Sequence, residues 1–85
     1  MRRVMVSYQV RPEHAAANRR LVVDVFAELA RAAPEGIRYA TLVLDDGVTF
    51  VHLASIETDD GANPLTALVA FQRFSQTLGE RTDAA

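Results

Sequence analysis

Apolar and polar residues alternate over residues 3–11, RVMVSYQVR. Val4, Val6, Tyr8 and Val10 fall on one side, and Met5, Ser7, Gln9 and Arg11 on the other. That period of two predicts a strand with one dry face. Pro12 ends it, because proline has no amide proton for the ladder. Residues 13–33 then run at helical period. Ala15, Asn18, Val22, Val25, Leu29 and Ala33 lie along one stripe, widened by Leu21, Phe26 and Ala32. Arg20, Asp24, Glu28 and Arg31 mark the wet side at pairing spacing. Such exposed pairs contribute only about 0.3–0.5 kcal/mol each, so burial of the stripe decides the helix. Pro34 and Gly36 stop it.

Two β-rich runs follow, residues 37–45 and 48–58, around Asp45-Asp46-Gly47. Asp-Gly between such runs signals a hairpin, and a two-residue turn at Asp46-Gly47 sets the register. Val43 then faces Phe50, Thr41 faces His52, Tyr39 faces Ala54 and Ile37 faces Ile56. The other face carries Arg38, Ala40, Leu42 and Leu44 against Thr49, Val51, Leu53 and Ser55. A one-residue slip would exchange a strand's faces. After the turn-rich stretch DDGAN, Asn63 suits a helix cap and Pro64 the first helical position. Leu65, Leu68, Phe71, Phe74 and Leu78 form an apolar stripe with Gly79 as its stop. The remaining residues, ERTDAA, are small and polar.

Composition narrows the function classes. Eighty-five residues form one domain, 1–85, and a chain this short often supplements its core by oligomerising. Without cysteine there is no disulfide, thiolate nucleophile or Cys-based zinc site. His14 and His52 stand too far apart in sequence for a metal-ligand pattern, so no metal is expected. A net charge of -2, with arginines scattered from Arg2 to Arg81, argues against nucleic acid as a partner. The opening apolar run, Val4-Met5-Val6, is too short for a signal peptide or a membrane helix, so a cytoplasmic protein without membrane contact is expected. Asp45-Asp46 and Asp59-Asp60 border glycine turns. Neighbouring residues there point apart, so both pairs read as turn chemistry.

The order βαββα is that of a ferredoxin-like α+β domain. Three stretches carry a closer resemblance, VSYQVRPEHAAANRRLV, GIRYATLVLDDGVTFVHL and NPLTALVAFQRFSQTL, with Gly36-Ile37-Arg38-Tyr39, Thr49-Phe50-Val51 and Phe71/Phe74 as the best local matches. In these the chain resembles the antibiotic biosynthesis monooxygenase family of dimeric α+β barrels. The resemblance implies an antiparallel sheet in the order first–third–second, both helices on one face, and a homodimer. It also implies cofactor-independent oxygenation of a small aromatic or polyketide-like molecule. A non-catalytic ligand-binding or assembly module of the same shape is the alternative. Ala54 and Ile56 stand where the family pattern has glutamate and tryptophan, so the asparagine–tryptophan–histidine set of its haem-degrading branch does not carry over. The family's usual fourth strand has no counterpart in ERTDAA.

Placing the helices over Ala40, Leu42, Val51 and Leu53 leaves Ile37, Tyr39, Val43, Phe50 and Ile56 uncovered. Burying these five at about 1.5–3 kcal/mol each would drive a homodimer through that face. The expected pocket then lies between this face and the partner chain. His52 titrates nearest neutrality and is the expected base. Thr41 would orient its ring, the Tyr39 hydroxyl would hold a substrate oxygen, and Phe50, Val43 and Ile56 would form the walls. The core alternative is that His52 only hydrogen-bonds a neighbour in a closed interface.

Overall fold

The computed structural model describes residues 1–82. Strand β1 (Arg2–Gln9) leads through a 3-10 turn at Pro12–His14 into helix α1 (Ala15–Ala32). A hairpin of β2 (Ile37–Val43) and β3 (Thr49–Ile56) follows. After it come a 3-10 turn at Pro64–Ala67, helix α2 (Val69–Gln76) and the short helix α3 (Leu78–Arg81). The sheet is antiparallel in the order β1-β3-β2. The fold class is therefore the expected α+β ferredoxin-like one.

The hairpin register is the one read from the sequence, with Val43 opposite Phe50, Thr41 opposite His52 and Ile37 opposite Ile56. Its turn is wider than two residues. Leu44 pairs with Thr49, and the Gly47 amide donates to Leu44 carbonyl oxygen. Only Gly47 takes a positive φ there (75°), whereas a tight turn would need one at Asp46 as well. The Asp46 carboxylate accepts from the amides of Val48 and Thr49 and from the Thr49 hydroxyl. Those bonds, the hydroxyl's first, hold it below its usual range. Asp60 likewise accepts from the Ala62 amide. Both aspartate pairs are thus turn chemistry, and among the described residues no His/Cys/Asp/Glu group could hold a metal ion.

The second helical stretch departs from expectation. Asn63 caps it through the Leu65 amide, as its position suggested. Leu68, however, is extended (φ -83°, ψ 128°), and Thr77 leaves the helical region (φ -106°, ψ 4°). One continuous helix over 64–78 is therefore three short pieces, and Gly79 lies within α3 rather than ending the helix. The break leaves amides at the start of α2 without intrahelical partners. Glu28 of α1 supplies them, accepting from Val69 and Ala70 at 3.3 and 2.7 Å and locking the two helices together.

The larger correction concerns which sheet face the helices cover. They lie over Tyr39, Thr41, Phe50, His52 and Ile56, not over Ala40, Leu42, Val51 and Leu53. Phe50 is 1% exposed and Ile56 2%, while Leu42 is 51% and Met5 70% exposed. Val22 and Val25 of α1 pack with Leu65, Leu68 and Phe74, and Tyr8, Ile37 and Tyr39 close this core from the sheet. The register of β1 explains the choice: Val4, Val6 and Tyr8 lie opposite Ala54, His52 and Phe50, so its dry side continues the His52 face. Beyond α3 the chain returns to β1, where Val10 and Thr82 form an antiparallel bridge. No fourth strand occurs among the described residues, and the end of ERTDAA lies outside them. No helix of the described chain is long and apolar enough to cross a membrane.

Candidate functional site

Alternation along β3 sends Phe50, His52 and Ala54 to the helix-covered side of the sheet. His52 is central there, flanked by Tyr8 on β1 and by Tyr39 and Thr41 on β2. Its Nε2 meets the Tyr8 hydroxyl at 2.7 Å. Its Nδ1 meets the Tyr39 hydroxyl and, at 3.2 Å, Thr41 Oγ1. The ring also lies against Phe74 of α2, with centroids 5.2 Å apart.

The network continues away from the sheet. Asn18 of α1 is fully buried, and its Nδ2 donates to the Tyr8 oxygen at 3.0 Å. Arg81 of α3 donates from Nε to Asn18 Oδ1 at 2.8 Å and from Nη2 to the Phe74 carbonyl at 2.9 Å. Its third bond goes to the Thr77 hydroxyl, and its guanidinium lies over the Phe74 ring. Among the described residues every buried side-chain polar atom has a partner. Such closure is what a buried polar chain needs, since an unmade hydrogen bond there costs about 1–3 kcal/mol.

Burial sets the protonation states. Desolvation pushes His52 down to about 4, so the imidazole is neutral near pH 7. Desolvation pushes the Tyr8 phenol up to about 12, against the smaller opposing effect of the Asn18 bond, and raises Tyr39 likewise. Both hydroxyls thus keep their protons at neutrality. A cavity of ≈ 240 Å³ opens beside this group, between the sheet and the segment from Asn63 to Leu78. Val4, Val6, Leu65, Phe71, Phe74 and Leu78 supply apolar wall, and Tyr8, Tyr39, His52, Asn63 and Ser75 supply the polar groups. A larger hollow of ≈ 460 Å³ on the open face, beside Met5, Ala40 and Leu53, reaches Tyr39 but neither His52 nor Tyr8.

The structure therefore brings His52, Tyr39 and Thr41 together as expected, but beneath the helices rather than against a partner chain. Phe50, Val43 and Ile56 share that face without lining the cavity; Phe50 stacks on Tyr8 instead. His14 is remote, at the start of α1. Tyr8, Asn18, Phe74 and Arg81 were not singled out as site residues. Asn18 carried a signal, being the one strongly polar residue on α1's buried stripe, where it needs a partner. Arg81 carried none.

No protein-family model matches the chain, and no curated protein matches it by sequence. Solved structures do match its fold. One is a conserved protein from Methanosarcina mazei, at 19% identity and TM-score 0.76, covering 98% of this chain and 82% of that one. A protein from Nitrosomonas europaea, provisionally named an antibiotic biosynthesis monooxygenase, matches at 15% identity and TM-score 0.77, covering 98% and 80%. Another, named an antibiotic biosynthesis monooxygenase, matches at 17% and 0.76, covering 98% and 87%. The chain has the fold of these proteins.

Proposed function

We propose that the chain is a cofactor-independent oxygenase acting on a small aromatic or polyketide-like molecule bound beside His52. The observation that carries this reading is a neutral imidazole between two tyrosine hydroxyls on the wall of an apolar cavity. Drug-sized ligands occupy roughly 300–1,000 Å³, so ≈ 240 Å³ suits a ligand of one or two fused rings. The names of the structural neighbours point the same way, as a likeness of fold.

In this reading His52 takes the proton of an acidic substrate hydroxyl, reached through a tyrosine oxygen, and leaves an electron-rich anion in a dry site. The anion passes an electron to dioxygen, and the resulting radical pair combines at a ring carbon. The peroxide breaks its O–O bond, keeping one oxygen as a carbonyl and releasing the other as water. A CH₂ group and O₂ thus give C=O and H₂O, with dioxygen as the oxidant. His52 returns its proton to the leaving oxygen as the O–O bond breaks, which completes the water.

The assembly reading draws on the open face, where Met5, Leu42 and Leu53 stand exposed. A patch of this kind marks an interaction surface. We propose a homodimer through it, which is compatible with an oxygenase site on the opposite side of the sheet. Oxygen uptake measured with one- and two-ring phenols and quinols that carry an activated ring CH₂ tests the enzyme. Uptake that falls at least 100-fold in His52→Gln supports it; no uptake with any of them leaves assembly as the function.

A further inference from the structure

Arginine can only donate hydrogen bonds, and this fact propagates through the site. Arg81 Nε points at Asn18, so Asn18 presents its oxygen there and its NH₂ to Tyr8. Tyr8 accepts from Asn18, and His52 Nε2 is the acceptor within reach of its single proton. A neutral imidazole that accepts at Nε2 carries its proton at Nδ1, facing Tyr39 and Thr41. Tyr39 receives that proton's bond, and its own O–H remains to donate.

We infer that Arg81 and Asn18 are positioning residues that fix this proton order, making Tyr8 the hydroxyl that accepts from a ligand and Tyr39 the one that donates to it. The inference deepens the oxygenase reading and rests on it for the substrate's fate. The two hydroxyls bond opposite nitrogens of one ring, so a ligand meets them with two separate oxygens. The matching class is an aromatic ring bearing a free hydroxyl and, apart from it, a carbonyl or second phenolic oxygen. The hydroxyl gives its proton to the Tyr8 oxygen as Tyr8 passes its own to His52 Nε2. Tyr8 ends neutral, His52 becomes imidazolium, and the substrate holds the negative charge. Tyr39 donates to the substrate's other oxygen, onto which that charge delocalises.

Nitrogen NMR of chain labelled with ¹⁵N-histidine reads the ring proton without any turnover. At pH 7 the expected pattern for His52 is a protonated Nδ1 and a bare Nε2. Asn18→Asp is nearly isosteric and keeps an acceptor for Arg81, but it has no donor for Tyr8. Tyr8 then donates to the carboxylate, and His52 is expected to move its proton to Nε2. Arg81→Lys, which still only donates, is expected to leave the wild-type pattern in place. A wild-type His52 protonated on Nε2, or a folded Asn18→Asp with the proton still on Nδ1, overturns the inference. Should Asn18→Asp not fold, the wild-type and Arg81→Lys spectra decide. The ligand class is tested by binding 4-hydroxybenzaldehyde against 4-methoxybenzaldehyde, which lacks the O–H. At least tenfold preference for the first supports it, and equal binding overturns it. Absent oxygen uptake would sink the oxygenase reading alone, since neither measurement needs the reaction.

Discussion

The two faces of the central sheet differ in composition and meet opposite fates. One bears Tyr39, Phe50, His52 and Ile56 and is sealed by α1 and α2; the other bears Met5, Leu42 and Leu53 and is bare. Hydrophobicity separates them in part: the sealed face adds Val4, Val6, Ile37 and Val43 to its rings, whereas the bare face mixes its aliphatic residues with Arg3, Ser7, Gln9, Arg38 and Ser55. The sealed face also holds the rings and the polar atoms that bond one another. Tyr8, His52, Tyr39 and Asn18 satisfy each other only when brought together and dried, whereas Met5 and Leu42 have no polar group that needs a particular neighbour. A sheet face that carries apolar side chains together with hydrogen-bonding aromatics is more specific about its cover than one whose aliphatic residues alternate with polar groups that water can satisfy.

Truncation gives the largest expected contrast. Phe50→Ala removes a fully buried ring stacked on Tyr8 and is expected to cost about 3–5 kcal/mol in urea unfolding. Leu42→Ala, at concentrations low enough to keep the chain monomeric, is expected to cost less than about 1 kcal/mol. Equal costs would mean that the open face is buried within the single chain.

Charge on the open face comes next. If two copies join there, Leu53→Glu places an unpaired carboxylate from each copy in the seam. Sedimentation equilibrium should show association weakened about 1,000-fold, or about 4 kcal/mol. The monomer should stay folded by circular dichroism. A wild-type chain that is monomeric at high micromolar concentration removes the dimer.

Acid should act on the sealed face through His52. Its folded value of about 4 lies below the ordinary 6.5, so the unfolded chain binds the extra proton first. Full stability is present above pH 6.5, falls as the pH drops toward 4, and changes no further through this group below that. The shift corresponds to a loss of up to about 3 kcal/mol. Unfolding free energies at pH 7, 5.5 and 4 should show that slope, and His52→Gln should flatten it. An unchanged slope in the variant would assign the acid sensitivity elsewhere.

Much of this fold was legible because periodicity and turn chemistry are local. Val4-Val6-Tyr8-Val10, the Val22-Val25-Leu29 stripe and Asp46-Gly47 each announce an element within a few residues, and the hairpin register followed from one turn. Face choice was not legible in the same way, because it depends on how β1 meets β3 across more than forty residues. Had Val4, Val6 and Tyr8 been set against Ala54, His52 and Phe50, the sealed side would have been apparent. The break at Leu68 was hidden by a stripe that reads as continuous, and its stabilising partner, Glu28, comes from another helix. Of the site, His52, Tyr39 and Thr41 share a hairpin and were found together. Tyr8, Asn18 and Arg81 reach it from three other elements, and only Asn18 stood out on its own helix.

The smallest expected effect lies at Thr41. Thr41→Val keeps the shape of the side chain and removes one hydroxyl near His52 Nδ1. Tyr39 remains bonded to the same nitrogen, so no buried donor is stranded. The loss should therefore be the net value of one hydrogen bond, about 0.5–1.5 kcal/mol, rather than the larger penalty of an unsatisfied group. In a domain of this size that lowers the melting temperature by roughly 2–12 °C. The matching exchange on the bare face is Ser7→Val, at an exposed position of β1 opposite Val51. With no bond to lose and no packing to disturb, it should stay within about 0.5 kcal/mol of wild type. Calorimetry on the pair isolates what one hydroxyl contributes when the face around it is dry. If the two variants melt together, Thr41 plays no part in holding His52, and Tyr39 alone orients that side of the ring.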